Sequence, residues 1–368
     1  MKKKFLSLLI IIVITFCLGE ISFRLFKPMP TYSDLKQQAG GFYKESDFNT
    51  FTLLENYSGE FRSNDDDKEK VMITINSQGF RNTKPSINSE KKVLILGDSY
   101  TFGVYVADEN TYASKLSKLI NEKFKYEVIN AGYASGHNTD QQYAWLSNFI
   151  KNNGCPDLVI LGFFLGNDFG VNKEYWKEKD DKGLPTKFTD KSIYVDSNNF
   201  LRSKKKSIHT VATESIYQIP ILRQSHSLIA VTKVIQRIER SLAGKNTTGW
   251  NFENFKFIYG DLNENFLKKE KIVIELINGM NQKTLECKQN FVTLLLPINF
   301  MVDENLFELK FPHIDISTLN KTLYYDRLEK KLVNLNINTL NIYNSMKNDY
   351  KSNGIDHFPI NGEVHFNS

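Results

Sequence analysis

Cysteine is scarce, with three in 368 residues, so no disulfide framework can staple this chain. Cys17 sits in an apolar leader, which leaves only Cys155 and Cys287 to pair. Neither has metal-ligand spacing, and two buried free thiols are expected. Charge of one sign is also in short supply. Lys and Arg number 47 against 42 Asp and Glu, and the net +5 is too mild to imply nucleic acid. The basic residues are scattered apart from Lys2-Lys3-Lys4 and Lys204-Lys205-Lys206, the second triplet reading as a solvated loop. No internal repeat appears, which excludes a solenoid. What remains is an ordinary globular composition, 41% hydrophobic and 13% aromatic, long enough for one large core or one core plus an appendage.

One long hydrophobic run does occur, at the amino terminus. Lys2 to Lys4 precede an almost unbroken apolar stretch from Phe5 to Leu18, and Ile21, Phe23, Leu25 and Phe26 extend it past Glu20. The positive flank is expected to stay in the cytoplasm and everything downstream to work outside it. The unbroken core also suits a signal-peptide h-region, and Cys17-Leu18-Gly19 offers small residues for cleavage. Phe16 before Cys17 argues against a lipoprotein signal. An uncleaved signal anchor over residues 1–26 is the favoured reading, with secretion if the leader is cleaved. Residues 27–88 then read as linker with little core, plus a lead-in strand at Val71–Asn76 that ends in the turn-like Ser77-Gln78-Gly79.

From Lys91 onward a βα rhythm sets in. Strands are expected at 92–96, 127–130, 157–164, 290–296 and 338–343, and helices near 110–124, 140–152, 263–282 and 317–334. Asp140 is placed to cap the second of these helices. The rhythm breaks for an insertion at about 170–262, with a helix expected near 226–240. The architecture expected is α/β: a three-layer αβα sandwich around a five-stranded parallel sheet, over residues 89–368, preceded by a membrane segment.

The chemistry concentrates where strands end. Val93-Leu94-Ile95-Leu96 stops at Gly97-Asp98-Ser99, an arrangement that holds a hydroxyl at the carboxyl edge of a parallel sheet. Acyl transfer needs a nucleophile, a base, an acid to orient the base, and donors for the oxyanion. Ser99 is the candidate nucleophile. Asn130-Ala131-Gly132 ends the second strand, where a glycine lets a backbone N–H face the site. Leu165-Gly166-Asn167-Asp168 ends the third, where the Asn167 amide can donate. The base is sought in the terminal Asp356-His357…Glu363-Val364-His365-Phe366-Asn367. His137 reads as a surface or turn histidine, and His209, His226 and His313 have no carboxylate at useful spacing. Singly, each block is common; their joint order is not.

These four blocks resemble the SGNH/GDSL hydrolases. The resemblance maps the family's serine, glycine, asparagine and histidine onto Ser99, Gly132, Asn167 and a terminal histidine. Asn76-Ser77-Gln78-Gly79-Phe80-Arg81 and the Glu20 and Arg24 of the leader resemble membrane-anchored bacterial members. The resemblance implies serine acyl transfer, with the oxyanion held by the N–H groups of Ser99 and Gly132 and the side chain of Asn167. His365, in a His-Phe-Asn resembling the family's His-x-Asn, is the expected base and Glu363 the orienting acid, with His357 and Asp356 as the fallback. The last block departs from the family: Glu363 stands where an aspartate is usual, and the closing helix is missing.

The expected function is an extracytoplasmic serine esterase acting on O-acyl, foremost O-acetyl, groups of a carbohydrate or lipid, with no cofactor, metal or nucleic acid. An O-acyltransferase for an envelope glycan uses the same residues. A non-catalytic membrane-tethered binding module is the alternative from another class. Tyr175, Trp176, Tyr194 and Trp250 of the insertion are offered as sugar-stacking or as the insertion's own core.

Overall fold

A computed structural model describes residues 2–28, 41–61, 71–81, 89–104, 106–135, 137–204, 219, 222–242, 252–320 and 322–353. The chain divides into two compact units. One comprises Met1–Gly40, Glu60–Lys70 and Ser203–Trp250; the other comprises Gly41–Gly59, Val71–Arg202 and Asn251–Ser368.

The larger unit is built on five parallel strands: β1 (Lys91–Gly97), β2 (Tyr126–Gly132), β3 (Leu158–Phe164), β4 (Asn290–Leu296) and β5 (Asn338–Asn341). Their order across the sheet is β5-β4-β3-β1-β2. Every pairing is parallel, with Gly97 of β1 opposite both Gly132 and Gly162. From Val93 to Gly97 every residue is buried, so β1 is covered on both faces and needs no polar alternation. On one face Val93, Ile95 and Val128 pack with Ala113 and Leu116 of the helix Tyr112–Asn121. The helices Thr139–Asn153 and Glu264–Glu286 pack against each other and bury Tyr143, Leu146, Val273, Leu276 and Met280. The βα rhythm thus produces the α/β sheet expected, and the strand order reverses between β1 and β3. That is the crevice where open α/β sheets take ligands.

Three expectations change. Residues 41–59 are no linker: Phe42, Phe51 and Leu53 are buried at 1%, 0% and 1% exposure, and Tyr43–Glu45 pairs antiparallel with Phe51–Leu53. The helix Thr139–Asn153 is capped by Asn138 in a capping box with Gln141, not by Asp140. Asp140 lies in the first turn, buried, where its Oδ2 accepts from Asn172 N–H (3.0 Å) and Trp176 Nε1–H (2.9 Å). Cys155 and Cys287 are half-buried and bonded to each other, with Cα atoms 6.3 Å apart. The bond follows from register. Each cysteine stands three residues ahead of Leu158 or Asn290, and those two are paired in the sheet.

In the smaller unit, helix α1 (Lys2–Phe26) carries the apolar leader. Among the described residues no helix is long and apolar enough to cross a membrane. The insertion's helix forms at His226–Leu242.

Candidate active site

Ser99 opens a single helical turn, Ser99–Phe102, directly beyond β1. Asp98 begins it as N-cap, its Oδ1 accepting from Tyr100 N–H at 2.9 Å. Gly103 ends it in the left-handed region (φ 76°), a conformation that any side chain would strain, and its N–H donates to Ser99 O. Ser99 is half-buried between two buried neighbours, Asp98 and Tyr100.

Three polar groups fix this turn from below. The Asn130 side chain donates to Thr101 O at 3.0 Å. The Tyr112 hydroxyl donates to Thr101 Oγ1 at 2.8 Å. Arg81, 1% exposed, donates from Nη1 to Phe102 O (2.6 Å) and Gly103 O, and from Nη2 to Val106 O (2.5 Å). Its Nε meets Asp108 Oδ1 at 3.0 Å, and Asp108 in turn accepts from Thr74 N–H and Oγ1–H. Burial lowers the Arg81 pKa, against the opposing pull of Asp108. In the sequence Arg81 stands only in the lead-in segment Asn76–Arg81, with no chemical task attached to it. Its signal was a cation after the Asn76–Gly79 turn, with an apolar strand on either side.

Gly132 ends β2 beneath the same turn. A Cβ there would fall 2.3 Å from Phe102 N, so only glycine permits this approach. Its own N–H donates to Asn130 Oδ1 at 3.0 Å. That N–H is engaged with the Asn130 side chain in this structure, and the residue packs directly beneath the turn that carries Ser99. Asn167 lies in the turn beyond β3 and is exposed; its carbonyl accepts from Gly170 N–H at 2.8 Å. The Tyr100 ring stacks on Phe164 at 3.9 Å, joining the turns that carry Ser99 and Asn167. Neighbouring strands run about 4.8 Å apart, so the turns after β2, β1 and β3 rise from adjacent strand ends.

Asp168, next to Asn167, is fully buried. Its Oδ2 accepts from Phe164 N–H at 2.8 Å. Burial first, and the Asp98 charge second, push its pKa well above the carboxylate range. The site therefore rests on a buried carboxyl that resists ionisation.

His137 is not a surface histidine. It is 1% exposed, stacks on Tyr133 at 3.9 Å, and its Nε2 accepts from Asn49 Nδ2 at 2.7 Å. Burial depresses its pKa to about 3. Trp176 is buried and bonded to Asp140, which places it in the core of this region, while Tyr175 is half-buried and packs edge-on to Phe188. His209, Trp250 and the terminal group of Asp356, His357, Glu363 and His365 lie outside the described residues. Among the described residues no cluster of three or more His, Cys, Asp or Glu is arranged to hold a metal ion.

No family model matches the chain, and no curated protein matches it. Among solved structures it is similar to TesA, at 11% identity and a TM-score of 0.36, over 75% of this chain and 89% of that one. It is also similar to AlinE4, described as an SGNH-hydrolase family esterase, at 10% identity and a TM-score of 0.35, over 75% of this chain and 86% of that one. Likenesses of that size carry no weight for activity or substrate.

Proposed function

We propose that the larger unit is a serine esterase, with Ser99 attacking the acyl carbonyl. One observation carries the reading: a half-buried serine on a rigid one-turn helix, at the carboxyl edge of the sheet where strand order reverses. A terminal histidine takes the Ser99 proton, His365 with Glu363 as orienting acid, or His357 with Asp356. The backbone N–H of Ser99 and the amide of Asn167 donate to the tetrahedral oxyanion. As the tetrahedral intermediate collapses, the ester C–O bond breaks and the histidinium gives its proton to the departing alcohol. Water, deprotonated by the same histidine, then attacks the acyl-enzyme and releases the carboxylic acid and Ser99. The substrate class is an O-acylated, foremost O-acetylated, carbohydrate or lipid.

The same proposal places the body outside the cytoplasm, exported and held at the membrane by the amino-terminal segment. Two features support it. Lys2–Lys4 flank the apolar run on its leading side. The Cys155–Cys287 bond belongs to an oxidising compartment.

The test is labelling of the full chain in detergent with a fluorophosphonate, together with turnover of a short-chain aryl ester. Ser99→Ala should abolish labelling and lower kcat on the order of 10⁶-fold. Asn167→Ala should retain labelling and lower kcat about 10²- to 10³-fold. A folded wild type that neither labels nor turns over removes the esterase reading. Loss of turnover in His357→Ala but not His365→Ala moves the base to His357. Acyl transfer to added oligosaccharide in preference to water makes the acceptor a glycan hydroxyl.

A further inference from the structure

Within the smaller unit, Glu20 interrupts the apolar leader and would be costly in a lipid setting without partners. It has four. Its Oε2 accepts from Ser225 Oγ (2.8 Å) and Ser227 N–H (2.9 Å), and its Oε1 from His226 N–H (3.1 Å) and Arg24 Nε (2.8 Å). Two of these donors are first-turn amides of the helix His226–Leu242, here α5, which have no partner inside that helix. Arg24 Nη2 also reaches Gln224 O at 3.3 Å. Gly19 faces Ser227, where a Cβ would stand 3.4 Å from Oγ. The leader helix is thus fastened to the start of α5 by charge-assisted bonds at close approach.

The two helices then expose apolar surface of different kinds. On α1, Ile10, Ile11, Val13 and Phe16 are exposed on several sides of the helix. On α5, Val231, Val234, Ile235 and Ile238 are 51%, 52%, 43% and 53% exposed. Their i, i+3, i+4, i+7 spacing makes one stripe. The sequence of the same helix supplies Lys233, Arg237 and Arg240 against Glu239. A one-sided apolar stripe in a basic helix is the signature of an element lying in a membrane interface rich in anionic headgroups.

We propose that α5 is a second lipid-contacting helix, lying on an anionic bilayer surface with the Val231–Ile238 stripe at the acyl boundary and held to the leader through Glu20. This rests on the reading of the leader as a membrane attachment. Continuity with that leader and the basic balance of α5 favour lipid over a second copy of the chain.

The test uses the full chain in a Cys17→Ser background. An environment-sensitive fluorophore is placed at Val234→Cys, at Ile238→Cys or, as a control in the larger unit, at Leu119→Cys. The chain is mixed with phosphatidylcholine vesicles, with or without phosphatidylglycerol, carrying acyl-chain nitroxide lipid. Labels at 234 and 238 should lose most of their fluorescence, more so with phosphatidylglycerol, while the label at 119 keeps its own. Vesicles that float the chain while leaving 234 and 238 unquenched overturn the role of α5 and leave the leader reading standing. A chain that does not float overturns both. Self-quenching of the labels as protein concentration rises, with no response to lipid, assigns the stripe to a second copy and also overturns it.

Discussion

The two ends of the parallel sheet are held by different means. At the carboxyl end, Arg81, Asp98, Asn130 and Asp168 are each at most 1% exposed. Their hydrogen bonds go to backbone atoms of the turns that carry the candidate chemistry. At the amino end the polar groups are exposed or half-buried. Asp157 accepts from Lys92 N–H, its own carbonyl accepts from Asn290 N–H, and the Cys155–Cys287 bond crosses from β3 to β4. A covalent link tolerates small movements of its surroundings, whereas a buried polar network permits one backbone geometry and penalises every other. Damage at the amino end should therefore cost stability alone. Damage at the carboxyl end should cost stability and turnover together.

The largest effect is expected from Arg81→Ala. It leaves Asp108 buried without its cation and three carbonyls without their donor, a loss of about 3–5 kcal/mol. Urea midpoints should fall, and the molecules still folded should show lower kcat at similar KM, because Ser99 loses its support rather than its substrate contacts. Arg81→Lys supplies one nitrogen group in place of a fork and should recover only part of both. At the other end, Cys155→Ser with Cys287→Ser should cost about 2–4 kcal/mol. Ester turnover per folded molecule should stay at the wild-type value. Lower turnover in the serine pair would show that the two ends are coupled and would break the contrast.

What could be read in the sequence follows the same division. The five strands are legible as short strand-like runs, and the first three, which stop at glycine, place Ser99, Gly132 and Asn167 at their carboxyl ends, a local signal. The Cys155–Cys287 pairing was missed because it depends on which strands are neighbours. Once Leu158 and Asn290 are known to pair, the equal offsets of the two cysteines make the bond plain. Arg81 and Asp108 depend on contacts across 21 or more residues, and the bond from Gly132 N–H to Asn130 Oδ1 depends on the direction of a single hydrogen; neither leaves a periodic trace. Residues 41–59 looked like linker because short strands and single aromatics lack the length that periodicity needs. They nonetheless bury Phe42, which stacks on Phe102 at 5.6 Å.

Gly132→Ala sharpens the contrast at a single atom. The added Cβ meets Phe102 N and the Thr101 carbonyl carbon, backbone that cannot rotate away. Overpacking of this kind costs about 1–3 kcal/mol. The turn must lift, so kcat should fall by more than the stability change alone would suggest. Wild-type turnover in this variant would mean that the position of Ser99 is not set from below.

The smallest effect per step is a pH slope, and it also belongs to the carboxyl end. His137 is neutral in the fold, its pKa near 3, because burial disfavours the imidazolium; unfolded, it titrates at the ordinary histidine value. Between those two values the unfolded chain holds one more proton than the folded chain. Stability therefore falls by about 1.4 kcal/mol for each pH unit as pH drops from 6.5 toward 3. Asp168 acts in the opposite sense: its raised pKa makes the folded state the better proton binder, so its contribution declines as pH rises above the ordinary aspartate value. His137→Gln keeps an acceptor for Asn49 Nδ2 and removes the titration. Its urea midpoint measured from pH 7 to pH 4 should decline less steeply than wild type by that amount. Parallel curves would mean that His137 is protonated within the fold. Nε2 would then carry a hydrogen pointed at the Asn49 amide hydrogens, and the pairing that buries it could not exist.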